Sequence, residues 1–374
     1  MTDEHKFDDI RPYRDDEIPA AMQRIVSDPL FPQVAQYVYP DRTVGEVRDI
    51  LLGCSDIYGF QTTVMKQVNE QVIARTTDGL TFSGVERLDP SKRYLFISNH
   101  RDIVLDSCLL MYILHTNGHS IGEITFGSNL MKGQMVIDIG KSNKMFRVDR
   151  GGNPRELYTT SVHLSEYIRY AITEKKESVW IAQRNGRTKD GNDRTDQGLI
   201  KMLGMSGGKD RVKALADLNI APVSVSYEWE SCDILKALEL YASRDGKPYI
   251  KKPGEDLNSI LTGITQPKGR VHIEICEPLT ASDLSAIPAD YADARFRHAV
   301  AELMDRRICG GYRLFPNAYI AHDLRSGISE YAGLYTNEQR DAFMARLHEL
   351  DRYGSDPALR EIFLGIYANP VDSH

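Results

Sequence analysis

Between residues 80 and 280, short apolar runs rich in β-branched and aromatic residues alternate with longer stretches of helical periodicity. No other feature constrains the fold as much. Strands separated by crossover helices build a sheet with helices on its faces, which is an α/β domain. YLFISN, EITFG, ESVWIAQ, IAPVSVSYEW and GRVHIEICEPL have strand composition, and DG, SG and DPSK mark turns before the first of them. VLDSCLLMYILHTNG, NPRELYTTSVHLSEYIRYAITEKK and GKDRVKALADLN have helical spacing, with Pro154 in the first turn of the second. MVIDIGKSNKMFRVDR reads as short apolar runs between polar loops. Residues 17–75 read as helical on either side of a Pro-rich patch, DPLFPQVAQYVYPDR, and helical patterns return from Ala281 onward. The expected architecture is α/β, a central mixed sheet flanked by helices. Its expected divisions are an N-terminal helical region over 1–78, an α/β domain over 79–280 and a C-terminal helical region over 281–374.

Composition narrows the function. No run of about 18 apolar residues occurs, so no membrane-spanning helix is expected. The first residues, MTDEHKFDDIRPYRDDE, are acidic and unlike a signal peptide. The five cysteines are scattered without a CxxC pair, which suits a reducing compartment and a cytoplasmic location. The net charge of −7 hides a basic middle, with 17 Lys and Arg against 10 Asp and Glu from Lys132 to Lys213. Such a patch suits an anionic ligand or membrane head groups. An acidic chain without a basic stripe of interleaved aromatics argues against nucleic acid.

The run FISNHRDIVLD (96–106) ends a strand-like segment on a histidine, an arginine and two aspartates. A strand leaving the core at Asn99 would present His100 where open α/β sheets hold ligands. Neutral imidazole there can take a proton from a hydroxyl, and a carboxylate would fix its tautomer and stabilise the imidazolium. Asp102 and Asp106 are both within reach. HRD also occurs in protein kinases, but the Asn required five residues after the Asp is replaced by Ser107. No second His/Asp cluster completes a metal site. Cys108 sits in an apolar helical run and reads as core.

The order of blocks resembles the glycerolipid acyltransferases, in which a His is followed after four residues by an Asp. NHRDIVLD is similar to that first block. KSNKMFRVDRGG (141–152), with Phe146, Arg147 and Arg150, resembles the second. WIAQRNGRT (180–188) stands in the place of the third, and IAPVSVSYE (220–228), with Pro222, is similar to the fourth. GYRLFPNAYIAHDL (311–324) resembles C-terminal segments of bacterial members. The resemblance implies transfer of a fatty acyl group from acyl-CoA or acyl-carrier protein to a hydroxyl of a glycerol-phosphate, lysophospholipid or lyso-aminolipid. It implies no bound cofactor or metal, and a peripheral place on the inner face of the membrane. It assigns His100 as general base and Arg101, Arg147, Arg150, Gln183, Arg184, Gly186, Arg187 and Thr188 to substrate binding.

Two departures stand out. The fifth residue after His100 is Leu105, so the acid arrives one residue late as Asp106 or three early as Asp102. Asp106 is favoured because the run after it continues as the family helix does. In the third block, Gln183 or Arg184 stands where the family carries Glu. A catalytically silent lipid or acyl-carrier binder, or a metal-dependent phosphohydrolase using His100 and Asp102, are the rival readings.

Overall fold

The computed structural model describes residues 5–149, 151–246 and 248–374. Seven strands form one sheet: β1 (Thr77–Ser83), β2 (Leu95–Ser98), β3 (Glu123–Gly127), β4 (Met145–Val148), β5 (Val179–Ala182), β6 (Ile220–Tyr227) and β7 (Gly269–Ile275), in the order β1-β7-β6-β2-β5-β3-β4. From β4 across to β6 every pairing is parallel; β7 runs antiparallel to β6 and parallel to β1. The sheet is therefore mixed, as expected. Its parallel part brings the carboxyl ends of β2, β5, β6, β3 and β4 to one end of the domain.

β2 is central and buried on both faces, and alternation sorts its side chains. Phe96 packs with Leu109, Leu110 and Ile113 of the helix Leu105–Thr116. Leu95 and Ile97 pack on the other face with Ile168 and Ala171 of the helix Pro154–Thr173. The helix Leu105–Thr116 is buried nearly all round, which its continuous apolar run requires. The helix Pro154–Thr173 starts on a reciprocal cap, Asn153 accepting from the Glu156 amide while Glu156 accepts from the Asn153 amide at 2.9 Å.

Two segments differ from the sequence reading. The Pro-rich patch contains the helix Phe31–Val38, because Pro32 falls at the first helical turn, where a missing N–H costs nothing. MVIDIG belongs to the helix Gln134–Ser142, whose Met135 packs onto the N-terminal apolar cluster. That cluster is built around Ile18, Met22, Phe31 and Phe60, and buried Asp138 ties it down by accepting from Tyr13 and Arg24. The C-terminal helices gather around Phe343, Phe363 and Tyr367. There Arg346 and Tyr367 both engage buried Asp233. Among the described residues, no helix is long and apolar enough to cross a membrane.

Candidate active site

β2 stops at Ser98, but its pairing continues through a side chain. Asn99 copies a backbone unit, its Oδ1 accepting from the Val225 amide at 2.8 Å and its Nδ2 donating to the Val225 carbonyl at 2.9 Å. On the other flank the Gln183 amide donates to the Ser98 carbonyl, and the Thr188 amide donates to the His100 carbonyl at 2.7 Å. His100 is thus held from both sides at the carboxyl end of the sheet. Its ring stands edge-on to Trp180, with centroids 5.6 Å apart.

The His100 Nδ1 lies 2.9 Å from Asp106 Oδ2. Asp106 is fully buried. The same Oδ2 accepts the amides of Arg101 at 2.7 Å and Asp102 at 2.9 Å, and Oδ1 accepts the Tyr227 hydroxyl at 2.9 Å. Burial and the neighbouring Asp106 push the Tyr227 hydroxyl well above its ordinary range, so it stays a donor. Three fixed donors besides the imidazole hold the carboxylate in place. The imidazole is left with Nε2 available to a substrate proton.

Asp102 has a different task. Its Oδ1 accepts the amides of Val104 and Leu105, both at 2.9 Å, and its Oδ2 accepts the Ser231 hydroxyl. It caps the turn that leads into the helix Leu105–Thr116. Residues 101–104 are not helical, and this capped turn absorbs the extra residue that delays Asp106. The spacing ambiguity is resolved by geometry in favour of Asp106.

Arg101 is a correction to the sequence reading. Its side chain faces inward, engaging Asp193, with Glu230 3.6 Å away. Burial opposes its charge, but Asp193 and Glu230 hold the guanidinium firmly protonated. Asp193 also accepts from Asn99, the Thr188 hydroxyl and Tyr312, and Lys236 donates to Glu230 and to the Arg101 carbonyl. Arg101 and Thr188 therefore brace the floor beneath His100, with the Arg101 Nε left without a partner among the described residues.

The other residues assigned to binding divide by position. Arg147 is exposed at the end of β4 and pairs with Asp149. It lies three strands from β2, roughly 14 Å by strand spacing. Arg150 lies outside the described residues. Gly186 takes a left-handed φ of 76° in the loop after β5, where a side chain would be strained, and Arg184 is half-buried beside it. Gln183 and Arg187 are buried, and among the described residues both Gln183 amide atoms and one Arg187 terminal nitrogen have no hydrogen-bond partner. Buried orphan polar atoms cost about 1–3 kcal/mol each, so these groups beside the His100 loop mark a place that a polar ligand or a water would complete.

Cys108, the nearest thiol in sequence, is buried, and burial pushes it up to about 12, which rules it out as a neutral-pH nucleophile. Sequence reasoning missed Tyr227, Asp193, Glu230 and Asn99. Only Asn99 carried a local signal, as the polar residue that ends an apolar strand.

The acyltransferase family model matches residues 79–226. That span runs from within β1 to the penultimate residue of β6 and includes His100, Asp106 and Gln183, with Tyr227 just beyond its end. Comparison with curated proteins gives no match. Among solved structures, the 1-acyl-sn-glycerophosphate acyltransferase PlsC of Thermotoga maritima is similar at 12% identity. The match covers 76% of this chain and 92% of that one, with a TM-score of 0.38.

Proposed function

From the match of the acyltransferase family model to residues 79–226, we propose that the chain transfers a fatty acyl group from a thioester donor to the hydroxyl of a lipid precursor. The donor is acyl-CoA or acyl-carrier protein. The acceptor is a glycerol-phosphate, a lysophospholipid or a lyso-aminolipid. The observation that carries this reading is the imidazole of His100, fixed through Nδ1 by a buried, fully hydrogen-bonded Asp106, with Nε2 unengaged.

A hydroxyl is a poor nucleophile at neutral pH. His100 Nε2 takes its proton as the oxygen attacks the thioester carbonyl carbon. The new C–O bond forms, the carbonyl electrons move onto oxygen, and they return as the C–S bond breaks. The leaving thiolate receives the proton from the imidazolium. Asp106 orients the ring and stabilises the imidazolium that forms. No covalent acyl-enzyme is needed. Gln183 and Arg187 supply the acceptor contacts. A neutral amide in place of the family's Glu pairs with hydroxyl or amide groups, and the guanidinium suits a phosphate or carboxylate.

The test is release of free thiol from palmitoyl-CoA and from a palmitoyl carrier protein. Wild type is compared with His100→Ala against glycerol 3-phosphate, lysophosphatidic acid and monoacylated amino acids. Acceptor-dependent release that vanishes in the variant supports the reading and names the acceptor class. Release from neither donor with any acceptor overturns it.

A further inference from the structure

Between β6 and β7 the chain inserts an excursion that contains the helix Glu255–Thr265. Its inner face carries Ser259 and Gly263, both buried. Gly263 lies so close to the Asp102 carboxylate that a Cβ there would sit 2.2 Å from Oδ2. At its start, Asp256 accepts from Asn129 of the loop after β3 at 3.3 Å and from Lys251 at 2.6 Å. Burial alone would raise the Asp256 carboxyl, but Lys251, Asn129 and the nearby charge of Arg187 lower it. The helix therefore packs against the turn that follows His100, whose own side chain is only 7% exposed.

The outer face is apolar and open. Leu257 and Leu261, one turn apart, are 52% and 54% exposed, and Ile250 just before the helix is 82% exposed. Lys252 follows Ile250 by two residues, and Lys132 lies three residues beyond Asn129, which is bonded to Asp256; both lysines are exposed without an ion-pair partner among the described residues. Apolar side chains rimmed by unpaired cations fit one kind of surface, an anionic lipid bilayer at the head-group boundary.

We infer that the helix Glu255–Thr265 is a membrane-docking roof, seating Ile250, Leu257 and Leu261 in an anionic bilayer over the His100 site. The choice of occupant rests on the lipid-acylation reading above; the test does not. Full-length protein is sedimented with vesicles of phosphatidylcholine alone, and with vesicles of equal phosphatidylcholine and phosphatidylglycerol. Wild type partitions to the anionic vesicles. The variant Ile250→Ser/Leu257→Ser/Leu261→Ser melts with wild type because these sites are exposed, and it partitions at least about tenfold less well. Lys132→Glu/Lys252→Glu weakens binding to the anionic vesicles and leaves the neutral ones unchanged. A wild type that ignores both vesicles, or a triple variant that binds as wild type does, overturns the inference. So does loss of binding in Leu30→Ser/Val34→Ser with the triple variant intact, which would place the contact on the N-terminal helices. Intact vesicle binding without acyl transfer would sink the proposed function and leave the docking roof standing.

Discussion

Replacing Asp106 by Asn removes a charge while leaving the shape of the site in place. The carboxylate receives the His100 ring and two backbone amides on Oδ2 and the Tyr227 hydroxyl on Oδ1. The two amides can only donate, so the Asn side chain must turn its carbonyl toward them. That same carbonyl still accepts from His100 Nδ1, and the new NH₂ donates to the Tyr227 oxygen. The ring orientation and tautomer survive, and only the stabilisation of the imidazolium is lost. Opposite charges about 4 Å apart in an effective dielectric of about 20 interact by about 4 kcal/mol. That is an upper bound of about 10³ in rate, and about 10²–10³ is expected. Asp106→Ala removes the acceptor of all four donors, and each orphaned donor costs about 1–3 kcal/mol. Its activity falls by more than about 10⁴ and its melting temperature drops clearly, whereas the Asn variant melts close to wild type. Thiol release under single-turnover conditions gives the rates, and thermal denaturation gives the stability. An Asn variant as inactive as the Ala variant would show that the amide does not turn its carbonyl toward the two backbone donors. One with wild-type rates would show that no imidazolium forms, and His100 would no longer be the base.

Asp102→Asn keeps a competent cap for the amides of Val104 and Leu105, so it lowers the turnover rate by less than about tenfold and is read mainly as a small drop in melting temperature. Tyr227→Phe deletes one charge-assisted hydrogen bond to Asp106, about 1.5–3 kcal/mol, and lowers the turnover rate about 10- to 100-fold with KM for the acceptor unchanged. A KM effect alone would contradict its place behind the base. Lys268 is buried against Thr76 and the Gln266 carbonyl, and burial lowers its ammonium to about 8. Between about pH 8 and pH 10 the unfolded chain then binds more protons at this lysine, so its contribution to stability rises with pH through that window. Urea denaturation of wild type and Lys268→Met should show a stability difference that moves toward wild type by up to about 3 kcal/mol from pH 8 to pH 10. A difference independent of pH would refute the assignment.

The parts of the fold written in short-range pattern were legible. The strands β2, β5, β6 and β7 and the helix Pro154–Thr173 announce themselves by composition, period and caps. Phe31–Val38 was hidden because a proline at a helix start and a proline in a loop look alike in sequence. Gln134–Ser142 was hidden because MVIDI satisfies a strand pattern over its length, and only its packing against the N-terminal helices makes it helical. At the site, His100 and the pair of candidate acids were visible. Which acid serves was not, since the answer depends on how the turn 101–104 spends one extra residue. Tyr227, Asp193 and Glu230 were invisible for a simpler reason. Their partners lie about a hundred residues away, and only the closed sheet brings them together.

The Asn99 clamp has a consequence for motion. The amide of Val225 is bonded to the Asn99 side chain, and the amides of Gln183 and Thr188 are bonded to the carbonyls on either side of Asn99. These three amides sit at the centre of the sheet, so the peptide carrying His100 cannot open without breaking hydrogen bonds to both neighbouring segments. In hydrogen exchange the amides of Gln183, Thr188 and Val225, and those of Arg101 and Asp102 on Asp106, should be among the slowest in the chain. The freedom needed to admit a long acyl chain must then reside above the histidine, leaving the base itself as still as the β-sheet it grows from.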